Sequence, residues 1–212
     1  MSRRQLRCLR VMLLSSVLAF RTGAAQEAAP ETTSALHSGT LSFVGHATVG
    51  DFVGSTSHVS GAFTGDLATA RGWVEAPVAT LITDNDRRDR DLRASMEVDT
   101  YPTMRFDLDS AVTVSSREDD GGAFDVLLHG RLAIHGVTRV VALPAAVSRR
   151  GDTLQVNAVF PLDVTDYRVG GLKKLFGVLR MRRQIEVRAD LRFVRATHQL
   201  NSLTSSTQER IR

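Results

Sequence analysis

The sequence predicts an all-β fold: an eight-stranded antiparallel barrel, with one short helix between its third and fourth strands. Three observations carry this. Long runs alternate apolar and polar residues with a period of two, and glycine- and aspartate-rich turns fall between them. A 3.6-residue period fits none of the three clearest runs.

The first 25 residues are set aside before the fold is considered. Met1–Arg10 carries four arginines and no acid, Val11–Phe20 is apolar, and Gly23-Ala24-Ala25 supplies the small residues of a cleavage site. This is the pattern of an export signal, and ten apolar residues are too few to span roughly 30 Å of hydrocarbon as a helix. The one cysteine, Cys8, lies inside the signal, so the mature chain has no thiol for catalysis and no disulfide framework. Removing the signal also changes the charge. The 27 basic residues fall to 22 when its five arginines go, against 23 acidic ones, and the basic character that suggested nucleic acid disappears.

Gln26 to Gly39 is small and polar and reads as a disordered lead-in. Strands are expected near 40–48, 57–66 and 71–82. Residues 84–96 then form the helix, with capping candidates Asp84, Asn85 and Asp86 and the i,i+4 pairs Asp86/Arg90 and Asp89/Arg93. Tyr101-Pro102 closes that segment. Strand 103–115 buries Met104, Phe106, Leu108, Val112 and Val114. Strand 123–134 follows after Asp119-Asp120-Gly121-Gly122, then 138–149, and 153–163 after Arg149–Asp152. The last strand, 182–194, alternates Ile185, Val187, Ala189, Leu191 and Phe193 with charged residues. Residues 40–195 form one domain, and 196–212 a polar tail. Strands with one apolar face must bury it against one another, in a sandwich or a closed barrel. Their length and consecutive hairpins favour the barrel. Eight strands enclose an interior that side chains fill or that holds one small ligand.

Candidate chemistry is sparse. His129 and His135 share a strand face but stand about 20 Å apart along it, too far to ligate one metal. No Gly-x-Ser-x-Gly elbow is present, and Asp107/Asp109 fall on a wet face. Arg150-Gly151-Asp152 is what a short turn prefers. The arginines of the helix are interleaved with Asp86, Asp89 and Asp91, as on a solvated face. The segment Gly170–Leu179 is apolar for a loop and carries Lys173 and Lys174; it suits a lid at a barrel mouth or a patch touching a membrane surface.

Four motifs together resemble the YceI-like proteins: Leu41–His46, Arg88-Asp89-Arg90-Asp91-Leu92, Tyr101–Phe106 and Gly130–Val141. The resemblance covers Thr40 to Val194. It implies a periplasmic, lipocalin-like barrel that binds a polyisoprenoid or related amphiphile, with no catalysis. One departure stands out: the family's arginine–aspartate–x–histidine motif ends here in Asp91, which alters any head-group contact that histidine makes. The ligand-binding residues expected are Phe43, His46, Met104, Phe106, Leu108 and Phe160, with Tyr167 and Phe176 near the mouth. No cofactor is expected beyond a bound isoprenoid or quinone lipid. The expected partners are an apolar lipid and transiently a membrane surface, and not nucleic acid; a homodimer is left open. The protein is expected in the periplasm or secreted. The alternative is a ligand-free envelope stress or interaction protein with a packed barrel.

Overall fold

The structure, a computed structural model, describes residues 33–48, 50–66, 69–117, 123–171, 173–174 and 179–195. The expected export signal, C-terminal tail and Asp119–Gly122 turn lie outside these residues. The strands are β1 (Thr33–Ala47), β2 (Gly50–Thr56), β3 (Ser60–Thr64), β4 (Arg71–Pro77), β5 (Thr103–Arg117), β6 (Ala123–Ile134), β7 (Val137–Arg150), β8 (Thr153–Asp163), β9 (Lys173–Lys174), β10 (Leu179–Arg180) and β11 (Gln184–Arg195). Helix α1 (Asp86–Ser95) lies between β4 and β5. Eight strands close an antiparallel ring in the order β1, β3, β4, β5, β6, β7, β8, β11, and β11 returns to β1. Counted around this ring, α1 falls between the third and fourth strands as predicted.

β2 is the element the periodicity did not reveal. It pairs with the upper part of β1, Leu41–Ala47, while β3 pairs with the lower part, Thr33–Ala35. The two are therefore one wall strand interrupted at residues 57–59. Its inward positions are Phe52, Gly54 and Thr56, so the apolar alternation is lost. Gly54 is required because a Cβ there would run into the Phe43 ring.

β1 begins at Thr33, so residues 33–39 are wall and not lead-in. Composition pointed to disorder, but the backbone of these small residues has two waiting neighbours, β11 and β3. A bulge between Leu36 and Ser38 also switches which parity faces inward, hiding the period. β4 ends earlier than expected, at Pro77, followed by a 3₁₀ turn over Val78–Thr80, since proline cannot donate to a ladder. In β5, bulges fall between Leu108 and Ser110 and between Thr113 and Ser115. Ala111 consequently turns inward, and Val112 and Val114, expected in the buried set, are 52% and 69% exposed.

Helix α1 starts at an Asn85 cap whose side chain accepts from the Arg88 N–H at 3.0 Å. Asp89 does not pair with Arg93. It is buried and accepts from the Thr83 N–H at 2.9 Å and the Thr83 hydroxyl at 2.6 Å, while Arg93 donates to the Ala79 carbonyl. The helix thereby fastens to the segment leaving β4 and covers one end of the barrel, called the upper end below. At this end β7 and β8 part: their ladder runs only from Ala145/Ala158 to Arg150/Thr153 and stops beside Pro144. Arg139 spans the gap, donating from Nε to the Asp166 carbonyl at 2.8 Å.

His135 is not on the outer face of β6. It forms a two-residue turn with Gly136 between Ile134 and Val137, with φ of 50° and 71°, a type I′ hairpin. Its ring is buried and packs edge-on to Tyr101 at 4.7 Å. Nδ1 lies 3.1 Å from the Tyr167 carbonyl, and Nε2 lies 3.4 Å from the Glu97 carboxylate without the alignment of a hydrogen bond.

Candidate ligand cavity

The barrel interior holds a cavity of about 1090 Å³ that runs from Ala47, Gly50 and Asp51 at the upper end to Asp66, Arg149 and Gly151 at the lower end. The register explains why it is hollow. Ala145, Ala158 and Ala189 stand opposite one another on β7, β8 and β11, so a row of small side chains crosses one wall at mid-height. Gly72, Ala76 and Ala111 add further small inward residues on β4 and β5. Large apolar side chains on the same inner face, among them Leu41, Phe106, Leu128, Leu154 and Val156, retain partial exposure; the surface they expose borders the cavity.

Six of the eight predicted residues line this space: Phe43, Met104, Phe106, Leu108, Phe160 and Tyr167. Two do not join them. His46 takes the outward parity of β1, where Nδ1 lies 2.8 Å from Asp51 Oδ1; its neighbours in sequence, Gly45 and Ala47, pair with Phe52 and Gly50. Phe176 lies outside the described residues, as do residue 172 and the rest of 175–178; Lys173–Lys174 and Leu179–Arg180 pair as the β9–β10 ribbon. Sequence reasoning missed Phe52, Phe63, Phe124 and Phe193, which also line the cavity. Phe193 was visible in the period-two run of the last strand; Phe52 and Phe63 belong to the interrupted wall strand. Phe43 and Phe52 meet edge-to-face at 6.0 Å near the upper end, and Phe63 and Phe193 at 5.1 Å near the lower.

Polar groups border the cavity chiefly at its ends. At the upper end Tyr167 is almost fully buried. Burial raises its phenol above the ordinary value, and the Arg139 guanidinium, 6.0 Å from the ring centre, opposes that rise. Among the described residues no three histidine, cysteine or acidic side chains gather as metal ligands, and no helix is long and apolar enough to cross a membrane.

Residues 32–193 match the YceI-like domain. The chain belongs to the YceI-like family. That span begins one residue before β1 and eight residues before Thr40, where the resemblance in the sequence motifs starts. Solved structures of similar fold include Burkholderia cenocepacia BcnA, with a TM-score of 0.63, 17% identity, and coverage of 75% of this chain and 96% of BcnA. A polyisoprenoid-binding domain from Saccharophagus degradans, implicated in plant cell wall breakdown, gives 0.63 at 17% identity, covering 77% and 98%. A Campylobacter jejuni YceI protein gives 0.54 at 16% identity, covering 68% and 84%. Comparison with curated protein sequences gives no match. Asp91, where the sequence resemblance leads one to expect a histidine, borders the cavity from α1.

Proposed function

We propose that this YceI-like protein binds a long apolar amphiphile, an isoprenoid or fatty-acid-like chain, inside its barrel, and sequesters or carries it outside the cytoplasm without chemical change. The observation that carries this is the cavity of about 1090 Å³ walled by apolar side chains, at the upper end of the usual size range for small-molecule sites. At roughly 30 Å³ per water-sized group, it accepts on the order of thirty such groups. Burial of each methylene contributes about 0.8 kcal/mol, so a chain binds tightly with few polar contacts. The S. degradans relative, described as a polyisoprenoid-binding domain, supports the same class of ligand. The export signal in residues 1–25 supports a periplasmic or secreted location. The apolar, lysine-bearing loop at 170–179 suits brief contact with a membrane surface during loading. The rival expectation of a solidly packed barrel gains no support from an interior with this much space.

Native mass spectrometry of the protein purified from envelope extracts, followed by lipid extraction, tests the proposal. A bound mass released as an isoprenoid or acyl lipid is expected. Protein that is empty as purified, and that takes up neither a long-chain alcohol nor an isoprenoid quinone, overturns it.

A further inference from the structure

Helix α1 is not wholly a solvated face. Arg88, Asp91, Leu92, Ser95 and Met96 all border the cavity, and their spacing of three and four puts them on one side of the helix. The lid of an apolar cavity therefore presents a polar strip. Arg88 is distinctive within it. Its guanidinium lies 4.4 Å from the centre of the Phe52 ring, itself a cavity residue, and Nη1 donates to the Thr83 carbonyl at 3.3 Å. These two contacts fix the side chain over the mouth and leave most donors of its fork unused.

Charge narrows the choice among the arginines that border the cavity, Arg88, Arg105 and Arg149. Arg105 is held by Asp107 at 2.8 Å and by Glu75 at 3.4 Å. Among the described residues no carboxylate pairs with Arg88, whose contacts are the Thr83 carbonyl and the Phe52 ring. The acids of the same mouth are committed elsewhere: Asp51 is held by His46 at 2.8 Å, and Asp91 has a partner of its own. A half-buried guanidinium beside an apolar wall is screened less than one in open water. Its planar fork matches two oxygens of a carboxylate or phosphate. At the lower end Arg149 also borders the cavity, but it is exposed at the end of β7.

We infer that Arg88 is the head-group residue of the cavity: it receives the negatively charged oxygens, carboxylate or phosphate, of the bound amphiphile. The head then sits under α1 against Phe52, and the tail runs toward Phe63 and Phe193. This rests on the reading that the cavity holds an amphiphile, and it adds the head-group class, the orientation and the residue responsible.

The test compares ligands of one chain length. Hexadecanoate, hexadecyl phosphate, hexadecanol and methyl hexadecanoate are titrated into the delipidated protein at a pH where the acids are ionised. The two anions are expected to bind at least about tenfold more tightly than the alcohol and ester, the lower range of a charge-assisted hydrogen bond. Arg88→Gln should abolish that preference and leave hexadecanol affinity within about twofold, whereas Arg87→Gln, on the exposed side of α1, should change neither. Arg88→Lys keeps the charge but not the fork, and should retain only part of the preference; it decides the matter if the glutamine variant does not fold. The ratio of phosphate to carboxylate affinity then names the head. Equal binding of all four ligands overturns the inference, as does a preference that survives Arg88→Gln or one lost only in Arg149→Gln. Failure of every ligand, hexadecanol included, instead overturns the cavity reading itself.

Discussion

Ala189 offers a direct measure of whether the barrel interior is vacant. It stands on the inner face of β11 opposite Ala158 and Leu41, borders the cavity, and is only partly buried. Ala189→Leu adds three carbons to this site. If they extend into open space and leave water without displacing neighbours, about 0.8 kcal/mol for each sets a ceiling of about 2.4 kcal/mol of added stability. Less is expected in practice, because the larger side chain loses rotamer freedom, and a gain near 1 kcal/mol is the working figure. The assay is urea unfolding of the delipidated protein, read as a shift of midpoint at unchanged slope. Affinity for a long-chain alcohol should fall in the same variant, since the leucine occupies ligand volume. A close-packed interior predicts the opposite sign, a loss of roughly 1–3 kcal/mol from overpacking. A destabilised delipidated variant would refute the hollow-barrel argument.

Three other expectations follow from single side chains. Phe106→Ala should weaken ligand binding while costing clearly less than the roughly 3–5 kcal/mol of a close-packed site, as paired titration and unfolding curves would show. Asp89→Ala should destabilise by about 1–3 kcal/mol, because it strands the buried N–H and hydroxyl donors of Thr83; thermal unfolding reads this loss, and a neutral result would mean α1 is not anchored there. Tyr167, whose phenol is raised by burial, favours the folded state while protonated. That contribution is intact below the ordinary value of 10.0 and is lost as pH rises from there through the folded value. Tyr167→Phe should therefore flatten the alkaline limb of the stability curve; an unchanged limb contradicts the assignment.

The parts of the fold legible in sequence are those where parity runs unbroken. β6 and β8 occupy the residues predicted for them, because Ala123–Ile134 and Thr153–Asp163 keep one face inward throughout. Legibility fails where geometry changes parity or removes side chains. The bulges in β5 send Val112 and Val114 outward although their spacing matches Phe106. Gly54 replaces an apolar inward residue because the Phe43 ring already fills that space, and this hid β2. His135 reads as the seventh residue of an alternating run, yet a positive φ turns it into a hairpin. Site residues follow the same rule. Phe43, Met104, Phe106, Leu108 and Phe160 lie on unbroken stretches and were found. Arg88 was masked by interleaved acids, whose pairing with helix neighbours is weak and gave way to tertiary contacts.

The pairing of β1 with β11 over Ser34–Val44 and Glu186–Arg195 makes the first and last strands of the domain neighbours. The ring can be sealed only when the final segment of chain is present, and removing either strand would leave two exposed edges. Loop closure on this scale is entropically costly and slow, so completion of the wall depends on the whole domain being available at once. Ser34 and Arg195 lie opposite each other in that seam, so a short peptide joining them would allow the chain to be reopened at another turn with the circuit of strands intact.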